Sequence, residues 1–231
     1  MKANVINKEV TPKETYYLLV VDGSTSMSHL TKSTISGVNE QIDAIKNLEK
    51  EFPEQTYHMS FIHFNSTVTV EYTNRPANSL EHINESNYKC TGMTAMLDAI
   101  GVGVRDLNEK IKDKIASGEA SAVVIIITDG EENSSIEFDG TKIKSMIEEL
   151  QKTEKWTFTF IGANIDSIST AKNYGINLNN VMQFSSDVNS NSRMYNSVAT
   201  SMKLRASSIS KNSYLSTDSF VIDDDKDVTS K

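Results

Sequence analysis

Two aspartates in this chain stand where an apolar run stops. Asp22 follows YYLLVV, and Asp129 follows AVVIIIT. An aspartate so placed can cap a following helix or act as a ligand at the mouth of a fold. The first is trailed by hydroxyls in Asp22-Gly23-Ser24-Thr25-Ser26. Positions 22, 24 and 26 can aim their oxygens to one side of a turn. A third cluster, Thr91-Gly92-Met93-Thr94-Ala95, opens a long amphipathic segment, and either threonine offers a further hydroxyl. Oxygen donors without sulfur or imidazole suit Mg²⁺, Mn²⁺ or Ca²⁺ better than zinc. With so few carboxylates, water and an outside ligand must complete the shell, which leaves an open position.

The elements that must position these residues are legible from periodicity. Residues 16–21 and 122–128 are continuous apolar runs, the pattern of strands buried on both faces of a parallel sheet. Residues 57–64 read as another strand. The turn Asn65-Ser66 and the alternating stretch 67–72 make a hairpin with it, so one strand should run antiparallel at an edge. Residues 156–161 and 181–184 complete the strands. Between them, apolar residues at steps of three and four predict helices over 31–51, 94–115, 141–152, 167–174 and 191–210. The polar stretch up to Thr91 reads as loop. Strands alternating with helices predict a doubly wound α/β fold, with a mostly parallel central sheet and one antiparallel edge strand. The expected organisation is a leader over 1–14, one domain over 15–211 and an acidic, disordered tail over 212–231. In an open sheet of this kind the ligand crevice lies beyond the carboxyl ends of the strands. Asp22 and Asp129 should therefore emerge at the same edge.

The pattern Asp-x-Ser-x-Ser at 22–26, Gly-x-Thr-Ala at 92–95 and Ile-Thr-Asp-Gly at 127–130 resembles the metal-ion-dependent adhesion site of von Willebrand factor A (vWA) domains. The resemblance runs from about residue 16 to about residue 184. It implies a Rossmann-like three-layer sandwich binding one Mg²⁺, with Mn²⁺ or Ca²⁺ also possible. Asp22, Ser24 and Ser26 would be ligands from the first loop. Thr94, rather than Thr91, would be the ligand from the second loop, and Asp129 the third-loop carboxylate, often acting through water. It further implies a protein-interaction module whose partner offers an Asp or Glu side chain to the metal. The phrases TAMLDAIG, ITDGEENSS and FTFIGANID are similar to a stand-alone prokaryotic and bacteriophage branch of the family. That points to the cytoplasm of a bacterial cell or phage-infected host, and virion association is compatible with it. Thr25 departs from the pattern where glycine is common, and Gly23 fills a variable position; neither change removes a ligand.

Composition narrows the alternatives. A net charge of −8 without a basic stripe argues against nucleic acid as partner. The apolar runs are too short to cross a bilayer, and the polar start is unlike a signal peptide. The single cysteine, Cys90, allows no internal disulfide and fits a reducing compartment; beside the second loop it reads as a small buried hydrophobe. A haloacid-dehalogenase-type phosphatase would need a second aspartate two positions after the first, where Ser24 stands. There is no dinucleotide or P-loop glycine signature and no nucleophile–base pair, so the chain is not expected to be an enzyme. A metal-independent structural or assembly protein is the competing reading. Glu131 and Glu132, just past the third loop, would repel an acidic partner surface or hold waters. His29 is a candidate partner contact.

Overall fold

The computed structural model describes residues 13–163, 166–211 and 220. The expected leader and tail lie outside these residues apart from Lys13, Glu14 and Phe220. Glu14 already belongs to the first strand, and Phe220 is buried in the core.

Strand β1 (Glu14–Asp22) shows why an apolar run without alternation makes a central strand. Successive side chains point to opposite faces. Tyr17, Leu19 and Val21 enter one core, and Tyr16, Leu18 and Val20 enter the other. Both faces are covered, so neither can be polar. Strand β4 (Ala120–Thr128) is buried along its whole length in the same way.

The remaining strands are β2 (Thr56–Phe64), β3 (Val68–Pro76), β5 (Trp156–Ala163) and β6 (Val181–Phe184). The sheet order is β3-β2-β1-β4-β5-β6. All neighbours are parallel except β3, which runs antiparallel to β2 at the edge. β3 is mostly half-buried or exposed, and its register with β2 shifts twice between Met59 and Ile62. Such irregularity makes an edge a poor template for further pairing.

Helices α1 (Thr31–Glu51) and α5 (Val188–Ser210) cover one face, and α2 (Met96–Ala116) and α3 (Gly140–Gln151) cover the other. The short α4 (Ser167–Asn173) sits near β5 and β6. The period of three and four buries Val38, Ile42, Ile45 and Leu48 of α1 against the sheet, and each fully buried side chain of this size is worth roughly 1.5–3 kcal/mol. α1 and α5 touch closely because Gly37 has no side chain: a Cβ there would lie 2.0 Å from a ring carbon of Tyr195.

The expected three-layer α/β fold is present, with the antiparallel strand at the expected edge. The stretch expected to be plain loop differs. It holds a 3₁₀ turn (Ala77–Ser79), and Ala77, Leu80, Ile83 and Tyr88 are buried in the α1/α5-side core. A second 3₁₀ turn (Thr25–Leu30) buries Met27 and Leu30. Irregular backbone carries no fixed period, so periodicity does not detect apolar residues buried from it.

Candidate metal centre

β1 leads through α1 to β2 on one side, while β4, on its other side, leads to β5. The chain order reverses between β1 and β4, and the crevice of an open α/β sheet opens at such a point. Asp22 is the last residue of β1, and Asp129 directly follows β4.

Asp22 is fully buried and Asp129 nearly so. One carboxylate oxygen of Asp22 accepts the Ser24 N–H at 2.7 Å, and the other accepts the Thr128 hydroxyl at 2.6 Å. The Ser24 and Ser26 hydroxyls are 2.9 Å apart, and Ser26 Oγ donates to Asp129 Oδ1 at 2.6 Å. Thr94 is buried in the loop before α2. The convergence is measured from Gly130. A Cβ at that residue would lie 3.4 Å from Thr94 Oγ1, 3.6 Å from Ser26 Oγ and 3.8 Å from Asp22 Oδ2. The structure therefore brings together Asp22, Ser24, Ser26, Thr94 and Asp129, the five residues singled out by type and spacing.

The first loop is laced to its neighbours. The Tyr88 hydroxyl donates to the Asp22 carbonyl at 2.5 Å, and Gly23 N–H donates to the Phe64 carbonyl at 2.6 Å. Thr91 N–H reaches the Gly23 carbonyl at 2.8 Å, and Thr25 N–H the Gly92 carbonyl at 3.1 Å. Thr91 itself is exposed and takes its side-chain hydrogen bond from Asn65, away from the cluster. Neither aspartate caps a helix: the N-caps of the following 3₁₀ turn and of α1 and α3 are Ser24, Leu30 and Asp139.

The loop after Asp129 is fastened by side chains whose role sequence reasoning missed. Glu132, expected to face a partner or water, instead accepts from the N–H groups of Ser134, Ser135 and Leu97 and from the Ser135 hydroxyl. Asp98 accepts from the N–H groups of residues 136, 137 and 138, and Asn133 exchanges hydrogen bonds with Thr94. Three polar side chains thus fasten this loop to the start of α2. The motif alone gives no sign of them, because the bonds that join the two segments reach backbone groups 35 to 40 residues away. His29 bridges the Ser26 carbonyl at 2.9 Å to Ser186 at about 3 Å. Cys90 is only partly buried, against expectation, because its loop runs along the core's edge, where Thr31 donates to its sulfur at 3.2 Å.

Burial raises the pKa of Asp22 above the usual carboxylate range. The hydrogen bonds from Thr128 and Ser24 oppose that rise, and the neighbouring Asp129 charge adds to it. Two carboxylates held together out of water call for a cation. The donors are all hard oxygens, which fits a divalent ion. The missing side chain of Gly130 leaves space beside three of them. Among the described residues there is no cluster of three or more His, Cys, Asp or Glu side chains, so a site here depends on hydroxyls as well as carboxylates.

Solved structures with the same fold include proximal thread matrix protein 1 from the mussel byssus with a zinc-occupied MIDAS motif. It matches with a TM-score of 0.53 at 17% identity, over 86% of this chain and 47% of that one. A von Willebrand factor type A protein from Catenulispora acidiphila matches with a TM-score of 0.51 at 14% identity, over 84% and 42% of the two chains. This chain thus spans less than half the length of either. No curated protein matches it. The family model for the von Willebrand factor type A domain matches residues 18–199, which takes in the whole motif set and the first half of α5. On that match, and on the fold and loop geometry that agree with it, the chain belongs to the von Willebrand factor type A domain family.

Proposed function

We propose that the chain is a metal-dependent protein-interaction module. It binds one divalent cation, Mg²⁺ by the hardness of its donors, with Mn²⁺ or Ca²⁺ able to substitute. Asp22, Ser24, Ser26 and Thr94 would hold the ion, with Asp129 acting directly or through water. A protein partner supplies an Asp or Glu side chain to the remaining position, since an ion held by only two carboxylates keeps Lewis acidity. The carrying observation is the convergence of two buried carboxylates and three hydroxyls at the switch point of the sheet. The module is not an enzyme on this reading: the hydroxyls serve the ion, and Ser24 stands where a phosphatase of this topology would need its acid. The net charge of −8 favours a protein over nucleic acid as partner, and the proposed setting is the cytoplasm of a bacterial cell or phage-infected host.

The test is thermal unfolding after chelator treatment, with and without Mg²⁺, on the wild type and on Asp22→Ala. An ion at ten times its Kd stabilises by about 1.4 kcal/mol, or roughly 3–6 °C for a domain of this size. The wild type should shift and the variant should not, while the variant keeps its far-UV circular dichroism. Equal shifts in both would refute the ligand assignment. No shift in either would favour a metal-independent assembly protein.

A further inference from the structure

Among the described residues, four large apolar side chains stand exposed at the carboxyl edge of the sheet: Met93, Ile136, Ile168 and Val188. One exposed apolar residue on a surface needs no explanation. Three of these, however, are joined to the candidate metal centre. Met93 directly precedes Thr94. Ile136 lies three residues beyond Asn133, which bonds to Thr94 in both directions. Val188 lies two residues beyond Ser186, which His29 ties to the Ser26 carbonyl.

Ile136 is the most exposed of them, at 94%, yet its backbone is fastened. Asp98 accepts from its N–H at 2.8 Å and from those of residues 137 and 138 at 2.9 and 2.8 Å. Glu132 holds the preceding turn through Ser134 and Ser135. Phe138 is partly buried against the core on the α2/α3 side. Its ring lies against α2 at Gly101, where a Cβ would come within 2.4 Å of it. The loop thus anchors itself through Phe138 and leaves Ile136 in water. Met93, 51% exposed, is held in a similar way. Its N–H donates to Ser66 Oγ at 2.9 Å, and the Gly92 carbonyl before it accepts from Thr25. An apolar side chain on a fixed backbone loses little freedom when a partner covers it, so its burial is favourable at low entropic cost.

We propose that Ile136 and Met93, with Val188 on the far side of the first loop, are the apolar anchors of the partner surface around the metal centre. The partner is a protein segment in which a single acidic residue is flanked by large apolar residues. The assignment rests on the metal-dependent reading of the site, which supplies the acidic residue; the flanks follow from the rim. The exposed side chains bonded to the Met93 segment, Thr25 and Ser66, carry hydroxyls and no charge. Glu131, exposed two residues past Asp129, offers only negative charge. A run of acids would be repelled there, whereas apolar flanks meet Ile136 and Met93.

The experiment selects a displayed peptide library, with one central Glu and randomised flanks, on the full chain in Mg²⁺. The same selection is made on the double variant Ile136→Ser, Met93→Ser. Large apolar residues should be enriched beside the Glu on the wild type and not on the variant. Synthetic copies of the enriched peptides should bind the variant roughly tenfold or more weakly by fluorescence polarisation. The variant's Mg²⁺ affinity, by calorimetry, and its Tm should match the wild type, since neither side chain is a metal ligand. A chelator should abolish peptide binding to the wild type. If apolar-dependent binding survives the chelator, the anchors stand and the metal-dependent reading falls. Mg²⁺-dependent peptides without an apolar preference, or bound equally by the variant, leave the metal reading standing and overturn the anchors. An absence of enriched peptides overturns them too. So does wild-type self-association in sedimentation that the variant lacks, because a second copy would then be the occupant.

Discussion

The two ends of this sheet are incomplete in opposite senses. At the carboxyl ends of β1 and β4, Asp22, Ser24, Ser26 and Asp129 already hydrogen-bond to one another and to Thr128. What that end lacks is positive charge. At the amino ends, on the α5 side, Arg205 and the hydroxyls of Tyr17, Ser121, Thr157 and Thr159 have polar atoms without partners. What that end lacks is a partner for each of these atoms. The difference lies in how the groups are held. The carboxylate end draws its oxygens from three loops tied down by Tyr88, Asn133, Glu132 and Asp98, so its geometry is fixed by the fold itself. The amino end draws its groups from strands and a helix, which are rigid but were placed by core packing rather than by one another.

The largest expected effect comes from loosening the prearranged end. Tyr88 is fully buried, and its hydroxyl is the donor to the Asp22 carbonyl. Tyr88→Phe keeps the ring packed against His63 but removes that donor. A buried acceptor that loses its partner costs about 1–3 kcal/mol. Urea unfolding without Mg²⁺ should show that loss, and Mg²⁺ affinity should fall because Asp22 and Gly23 are less firmly placed. Lower stability with unchanged affinity would mean that the loops do not need this tie.

A smaller and more selective effect is expected at Gly130. Its backbone is not in the left-handed region, so alanine fits the chain there, but the added methyl would stand 3.4–3.8 Å from Thr94, Ser26 and Asp22 oxygens. Those are ordinary contacts for the apo fold, yet they fill the space an ion and its waters require. Gly130→Ala should therefore leave urea stability within about 0.5 kcal/mol and weaken Mg²⁺ by about tenfold or more, near 1.4 kcal/mol. Calorimetric titration with Mg²⁺ measures it. Unchanged affinity would place the ion away from Gly130 and undo the cradle argument.

The two ends also differ in how far the sequence reveals them. The convergence of Asp22, Ser24, Ser26, Thr94 and Asp129 was legible because they sit in three short motifs, each abutting a strand end or a helix start, and strand polarity sends all of them to one edge. The alternating layers and the antiparallel β3 were legible for the same reason, since period and turn chemistry are local. The ties supporting the loops were not. Asp98 reads as an ordinary acidic residue in the first turn of α2, and its bonds to residues 136–138 depend on two segments meeting in space. Tyr88 and Ile83 gave no sign of burial because their segment has no period. Arg205 was the least legible. On an amphipathic helix an arginine reads as solvated face, and only the packing of α5 on the sheet turns it inward.

The smallest effect serves as a control for the amino end, because on the other face of the same strand that end holds a completed ion pair. The Glu14 carboxylate accepts from Lys114 Nζ at 2.8 and 2.9 Å and from the Tyr16 hydroxyl at 2.7 Å. Burial pushes the Glu14 pKa up, but the hydrogen bonds from Lys114 and Tyr16, with the lysine charge, outweigh it and hold the group below its usual value. An acid with a depressed pKa stabilises the fold above its unfolded pKa, and that stabilisation is lost as pH falls through the folded value. Lys114 is 43% exposed, so solvent screens the pair, and the contribution should be only about 0.5–1 kcal/mol. Glu14→Gln should be less stable than wild type by that amount at pH 7 in urea unfolding. The gap should narrow below the ordinary carboxylate value of 4.5 as the wild-type group takes up its proton. A gap that stays constant into acid would mean that Glu14 acts through packing, and the paired and unpaired faces of this end would then differ less in their electrostatics than their geometry implies.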